Sequence, residues 1–563
     1  MSFKAKLVFL TLLFAAIFTV HYWWKLGQAV EMVDVPVEKL NCVSYSPFHK
    51  AGQTPLDSQL SISHAQIEAD LTELAKQFAC VRTYSVSQGL EAVPALAQQL
   101  GMRVLLGIWI GRNPVDNEKE IALGTQLAQQ YPNTVSALII GNEVLMRREQ
   151  TPANMRDYLI QIKARAPGVA LSYADSWDFW LRYHQDLADV VAFATVHILP
   201  FWDDDTVAVS EAAEYVGKTY RQIKAAFHDQ AVLIGETGWP SYGRQRQDAA
   251  SSLVNQARFI REFAVLAKQQ NIPYNIIEGF DQPWKRHSEG AVGGYWGMFA
   301  EDGSAKFPLT GAVAEAPEWQ KLAGVSSLLL FLLLLAMQRL NPVQELTTAI
   351  VLACLSILGA GASVSYWRDM LMTNRNWLEW AYSGCYALAL LGVILLAARY
   401  IGIWFRQNQQ PPIITLINPR NPADYALLKH LDHWQGLLRF LFLFAAAIVC
   451  LLLVFDLRNR DYPLALFSAP AIGFALIAWL KGKNDAYLEE IIMAGWIAIA
   501  GLWLPVIEHL IFAPDMSSRF SDGINPNVFY WSGICLLLSA SILLPVLLEL
   551  RPRQNQTSQH KAN

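Results

Sequence analysis

Hydrophobic and polar positions divide the chain into two regimes. Residues 7–24 (LVFLTLLFAAIFTVHYWW) form an unbroken apolar run, and seven more lie near 322–338, 345–366, 380–401, 436–456, 462–480, 488–509 and 528–549. Each approaches the ~20 residues that a helix needs to cross ~30 Å of hydrocarbon. Between the first run and the rest, residues 25–320 follow another rhythm. Short apolar runs at 41–48, 80–86, 103–110, 135–142, 170–176, 189–198, 231–237 and 274–282 alternate with longer segments, such as 64–78 and 250–270, whose apolar residues recur at helical spacing. Continuous apolar runs of strand length suit parallel strands buried on both faces. Eight strand–helix units in about 280 residues match the size of a (β/α)8 TIM barrel. The expected fold is therefore an α/β barrel followed by an all-α multi-span transmembrane domain. Its parts are an N-terminal signal-anchor helix (1–29), the barrel (30–318), seven membrane helices (319–552) and a tail (553–563). The anchor reading rests on Lys4 and Lys6 before the first run and on Lys25-Leu26-Gly27-Gln28 after it, which offer no small-residue cleavage site.

Composition agrees with this division. Hydrophobic residues make up 53% and charged residues 16%, too apolar a mixture for a soluble protein of this length. A net charge of −4 gives no sign of nucleic-acid binding, so no nucleic-acid partner is expected, and the apolar runs make the lipid bilayer one. The basic residues also set an orientation. With the N-terminus inside, the inner loops hold Arg339, the stretch 399–439 (Arg399, Arg406, Arg420, Lys429, Arg439), Lys481 and Lys483, and the tail holds Arg551, Arg553 and Lys561. The outer loops 368–379, 456–461 and 510–527 are short or mixed in sign. In a bacterium this places the protein in the inner membrane, with the barrel in the periplasm and both termini in the cytoplasm. Four of the six cysteines lie in apolar runs as core or lipid-facing thiols; only Cys42 and Cys80 do not. An oxidising compartment would permit those two to pair, but the sequence does not decide it. There is no CxxC, no metal-ligand spacing and no sign of an organic cofactor.

Candidate chemistry sits at the strand ends. Tyr45, Arg82, Tyr84, Trp109, Asn142, Glu143, Asp175, His197, Glu236 and Asp281 close the predicted strands. In this barrel class the C-terminal strand ends form the active face. Glu143 ends the fourth strand and Glu236 the seventh, so two carboxylates face one mouth. Such a pair can flank a glycosidic bond, at ~5–5.5 Å apart for retention or ~6.5–9.5 Å for inversion.

The motifs VRTYS (81–85), IIGNE (139–143), IGETGWPS (234–241) and FDQPWK (280–285) are specific together. Through them, residues 41–308 resemble glycoside hydrolase family 17, a group of retaining β-1,3-glucanases and transglycosylases. The resemblance implies that Glu143 is the acid/base and Glu236 the nucleophile. It implies a substrate-binding set of Asn142 toward the sugar 2-hydroxyl, Arg82 and Tyr84 beside Glu236, and His197 near substrate or nucleophile. Tyr45, Tyr173, Trp202, Trp239 and Trp284 are sugar platforms by expectation, and Lys285 and Glu289 resemble the family's polar pair after the eighth strand. Many relatives carry glutamate where this chain has Gln282. The implied substrate is a β-glucan oligo- or polysaccharide. Similar multi-span bacterial proteins are associated with β-glucan synthesis and remodelling, including β-1,6 branching.

Plainer readings stand beside these. A lone strand-end glutamate is usually a solvated carboxylate, and aromatic residues more often fill cores than bind sugar. His197 is weighed evenly against a structural histidine. Asp203-Asp204-Asp205 reads as a solvated loop, not a metal cluster, and Glu508 and His509 as interfacial residues. The function expected is transfer of glucan, elongating or branching it, with hydrolysis as the alternative. From another class comes a non-catalytic glucan-binding or export component, partnered with a membrane glycosyltransferase. A nucleotide-sugar synthase is excluded, because the largest inner loop, about 402–435, is too short for a transferase domain.

Overall fold

The computed structural model describes residues 3–204, 206–228, 230–341, 346–407, 422–456, 460–482, 485–512 and 525–550. The expected tail at 553–563, together with Asp205, Arg420, Lys483 and Arg551, lies outside these residues, as do the side chains of Lys4 and Lys6. The chain forms two compact units, residues 29–315 and the remainder.

In the first unit eight parallel strands close a barrel: β1 (Leu40–Ser44), β2 (Phe78–Arg82), β3 (Arg103–Ile108), β4 (Val135–Asn142), β5 (Leu171–Ser176), β6 (Phe193–His197), β7 (Ala231–Thr237) and β8 (Tyr274–Ile276). β8 pairs with β1 through Cys42 and Asn275, which completes the ring. Each strand coincides with a predicted run, but β1, β2 and β8 end four to six residues sooner, where the chain turns into the barrel mouth. The runs are continuously apolar because both faces are buried. Along β3 and β4, Val104, Leu106, Leu138 and Ile140 belong to the large cluster beneath the helices. Leu105, Ala137 and Ile139 alternate with them and join Cys80 and Ala174 in a second cluster. Full burial of each such side chain contributes roughly 1.5–3 kcal/mol.

A helix follows each of the first seven strands, at His64–Leu74, Val93–Gln99, Pro114–Gln130, Pro152–Arg165, Trp177–Leu187, Val209–Ala226 and Leu253–Gln270. Local sequence sets where several begin. Ser63, Asn113, Thr151 and Ser252 accept N–H bonds from the first turns, and Pro114 and Pro152 occupy the first helical position, where no donor is lost. After β8, among the described residues of this unit, only short helical turns follow, including Arg286–Glu289. A two-residue pair, Ala29–Val30 with Val313–Ala314, ties together the ends of the unit.

Cys42 and Cys80 form a disulfide. They stand directly opposite each other on β1 and β2, with Cα atoms 4.3 Å apart.

Among its described residues the second unit contains the helix Phe3–Leu26 and seven helices that are long and apolar enough to cross a membrane. The helix Pro422–Phe455 begins well before the expected apolar run at 436, so part of the expected inner loop is helical. Ion pairs explain the polar extension. Arg439 donates to both oxygens of Glu490, at 2.9 and 2.7 Å, and to Asp485 at 2.7 Å. Lys481 reaches back to Asp432 at 2.7 Å. Glu508, expected to be interfacial, is buried within this unit and accepts from buried Arg460 at 2.7 Å. Unpaired, either charge would be costly to bury.

Candidate active site

Parallel strands bring their C-terminal ends to one rim, and the side chains there converge on a short chain of contacts. Arg82, the last residue of β2, is buried and branches across three strands. Its Nη1 donates to Glu236 Oε1 at 3.1 Å and to the Gly235 carbonyl at 2.8 Å; its Nη2 donates to Asn142 Oδ1 at 2.5 Å. The last contact orients the Asn142 amide, leaving its NH2 end as the donor toward a ligand. The Tyr84 hydroxyl donates to Glu236 Oε1 at 2.8 Å and lies 2.8 Å from Ser44 Oγ. Burial pushes the Tyr84 phenol well up, and the Glu236 charge adds to that, so it stays a donor.

His197 ends β6 between the two carboxylates. Its Nδ1 lies 2.9 Å from Glu143 Oε1, and its Nε2 lies 3.7 Å from Glu236 Oε1 and 3.4 Å from Arg82 Nη1. An arginine N–H can only donate, so Nε2 accepts and Nδ1 carries the proton toward Glu143. Burial raises the Glu143 carboxyl, but the His197 hydrogen bond and the electrostatic interactions with His197, Arg147 and Arg82 outweigh it and hold the group below its ordinary range.

One ligand atom from each of Glu143, His197 and Glu236 lies within 4.8 Å of the others. By residue type the trio could hold a metal. The Arg82 guanidinium already supplies a fixed positive charge there, which opposes a second cation. As a carboxylate pair, Glu143 and Glu236 bring one oxygen from each within 4.8 Å, close enough to flank a single glycosidic bond. Each glutamate has Oε1 anchored; among the described residues no hydrogen bond is recorded to either Oε2.

The remaining expected site residues separate into two groups. Tyr45, Tyr173 and Trp239 are fully buried and present no face to a sugar, which corrects their reading as platforms. Tyr45 donates to Asp70 at 2.9 Å, Tyr173 donates to Asp175, and Trp239 Nε1 donates to the Ala250 carbonyl at 3.0 Å. Trp202 and Trp284 are half-buried and keep part of their rings open. Trp202 stacks on Trp296 with ring centroids 6.2 Å apart. Gln282 is buried and bonded at both ends of its amide. It donates to the carbonyls of Ser46 (2.9 Å) and Phe280 (3.2 Å) and accepts from Trp284 Nε1 at 2.8 Å. A glutamate here would set its carboxylate against two carbonyl oxygens.

Lys285 does not pair with Glu289. It donates to both oxygens of Glu278 at 2.9 Å. Burial raises the Glu278 carboxyl to about 7, with Lys285 opposing. Glu289 stands exposed on the rim. Loss of solvent around its carboxyl raises it, Lys285 opposes, and the charges of Glu236 and Glu143 raise it further.

Sequence reasoning missed Glu278. It lies just past a three-residue strand, and its only signal is a charge inside an apolar stretch seven residues before a lysine. Trp109 stood at a strand end with no role assigned. It is 39% exposed, and Arg147 covers it with the guanidinium 4.6 Å from the ring centroid.

Residues 42–297 match the family model of the BtgE/BtgC glycoside hydrolase domain. A glucan 1,3-beta-glucosidase of Arthroderma benhamiae is 28% identical over 267 residues, covering 43% of this chain and 83% of its own length. One from Saccharomyces cerevisiae is 22% identical over 276 residues, covering 44% and 85%. A solved family 17 beta-1,3-glucanosyltransferase from Rhizomucor miehei is 25% identical, covers 48% of this chain and 97% of its own, and has a TM-score of 0.42.

Proposed function

We propose, on the premise that the barrel belongs to the BtgE/BtgC glycoside hydrolases, that this chain is a membrane-anchored retaining enzyme acting on β-1,3-glucan. The carrying observation is the Glu143–Glu236 pair, with carboxylate oxygens within 4.8 Å and His197 between them. The glucan 1,3-beta-glucosidases among its relatives support the substrate class.

The chemistry is a double displacement. Arg82 and Tyr84 hold Glu236 Oε1 in place, so Oε2 attacks the anomeric carbon. The bond to the leaving oxygen breaks as Glu143 delivers its proton. In the free protein that proton is scarce, because His197 stabilises the carboxylate. A sugar covering the Glu143 side chain, which is 20% exposed, removes its remaining water and raises it toward protonation. Once Glu236 is esterified its negative charge is gone, and Glu143 reverts to a base for the acceptor. The Asn142 NH2 donates to the 2-hydroxyl beside the reacting carbon.

The acceptor is a second glucan hydroxyl, so the enzyme elongates or branches glucan, β-1,6 linkages included. The apolar helices favour this reading over free-glucan digestion, since a membrane-tethered enzyme has little use for digesting free glucan. The Cys42–Cys80 disulfide supports an oxidising location, in a bacterium the periplasm; the basic inner loops place both termini in the cytoplasm in this reading, and a membrane glycosyltransferase is the partner proposed.

The test incubates full-length protein in detergent with linear β-1,3-gluco-oligosaccharides, beside Glu236→Gln, and analyses products by mass and linkage. Products longer than the substrate and absent with the variant establish transfer. Shorter products alone establish hydrolysis. No turnover by folded protein removes the β-1,3-glucan assignment.

A further inference from the structure

Glu143 has φ +53°, in the left-handed region that side-chain-bearing residues rarely enter, and Gly141 (+75°) and Arg148 (+55°) flank it in the same region. A turn so shaped persists only when its surroundings over-determine it. Backbone bonds supply part of the hold: Glu143 N–H donates to the Ala174 carbonyl at 2.8 Å, and Arg147 N–H donates to the Glu143 carbonyl at 2.8 Å. The rest comes from two side chains of β5. Tyr173 Oη accepts the Leu145 N–H at 2.9 Å and donates to the Asp175 carboxylate. Asp175 Oδ2 also accepts the Met146 N–H at 3.4 Å, and its Oδ1 accepts the Ser176 N–H at 2.8 Å. Tyr173 and Asp175 are two residues apart, so they share one face of the strand, and both are fully buried. Neither can reach a substrate.

We propose that Tyr173 and Asp175 are positioning residues for Glu143, fixing through the Leu145 and Met146 N–H groups the left-handed turn that aims its carboxyl at the leaving oxygen. The proposal rests on the acid/base reading of Glu143. It predicts a selective defect. Loosening the turn misplaces the proton donor but leaves Glu236 in position, because the anchors of Glu236 come from β2 and its following residues.

The experiment uses full-length protein in detergent and two donors: a β-1,3-gluco-oligosaccharide, whose leaving group needs a proton, and a 2,4-dinitrophenyl β-glucoside, whose leaving group does not. Tyr173→Phe and Asp175→Asn are expected to lose about 10- to 100-fold in glycosylation rate on the oligosaccharide. Release of dinitrophenolate in the first turnover should stay within about threefold of the parent. Equal losses on both donors, or no loss on either, overturn the proposal. Tyr173→Phe keeps the ring packed beside Trp180, with centroids 5.8 Å apart, and decides the matter if Asp175→Asn does not fold. Glu143→Gln measured in parallel separates the two claims. If it treats both donors alike, the acid/base reading fails; if it splits them and Tyr173→Phe does not, only the positioning role fails.

Discussion

Arg82 donates to Glu236 at 3.1 Å with both side chains almost wholly out of solvent. The same guanidinium also holds Asn142 and the Gly235 carbonyl, so its planar shape matters as much as its charge. A lysine keeps the charge but cannot span all three acceptors. Arg82→Lys should lower kcat/KM by about 10²-fold, or roughly 2.7 kcal/mol, while the protein stays folded by circular dichroism. Near-parent activity would show that charge alone suffices.

The two glutamates should separate stereochemically. Glu143→Ala, supplied with an activated glucoside and azide, should release β-glucosyl azide, because azide attacks the intermediate in place of a base-activated acceptor. Glu236→Ala should release the α-azide, because azide then takes the place of the missing nucleophile. Proton NMR of the anomeric centre distinguishes them. Exchanged configurations would exchange the two roles.

His197 offers a pH experiment with a fixed sign. Its hydrogen bond is the largest downward influence on Glu143. Removing it in His197→Phe leaves burial less opposed, so the Glu143 carboxyl rises and stays protonated to higher pH. The basic limb of the kcat/KM profile should therefore move to higher pH than in the parent. A limb that stays put or moves down would place the titration elsewhere.

The disulfide gives a stability prediction. Cys42 and Cys80 are 38 residues apart, and a loop of that length is worth about 4 kcal/mol in chain entropy. The double variant Cys42→Ser/Cys80→Ser should lose up to that much and become insensitive to reductant. Unfolding followed by barrel tryptophan fluorescence, with and without dithiothreitol, measures both effects.

In the membrane unit, Glu508→Gln should be destabilising by roughly 1–3 kcal/mol, because it removes a charged acceptor from buried Arg460. Thermal unfolding in detergent reads the loss. An unchanged midpoint would mean that the Glu508 charge contributes nothing to the fold of this unit.

The barrel was legible in the sequence because strands buried on both faces write themselves as unbroken apolar runs, and the two motif glutamates end β4 and β7. Side-chain direction was not legible. Tyr45 and Trp202 look alike in sequence, yet one donates to a buried aspartate and the other keeps part of its ring open. The disulfide depends on the β1–β2 register, which places Cys42 opposite Cys80 and is set by the whole ring. The burial of Glu508 was not legible because Arg460, to which it bonds, lies on another segment. The polar start of the helix Pro422–Phe455 was hidden for the same reason, since its charges are matched by residues 481–490.

Closure of the ring has a consequence in time. β1 bonds to β8 through Cys42 and Asn275, and the strand Ala29–Val30 bonds to Val313–Ala314. The earliest-made segments of the barrel thus find their last partners only when its final segments leave the ribosome. Until then β1 is an open edge beside a reactive thiol, held on its other side by β2. Early pairing of Cys42 with Cys80 would fasten that edge in register and keep it from other chains while the rest of the circle is still being translated.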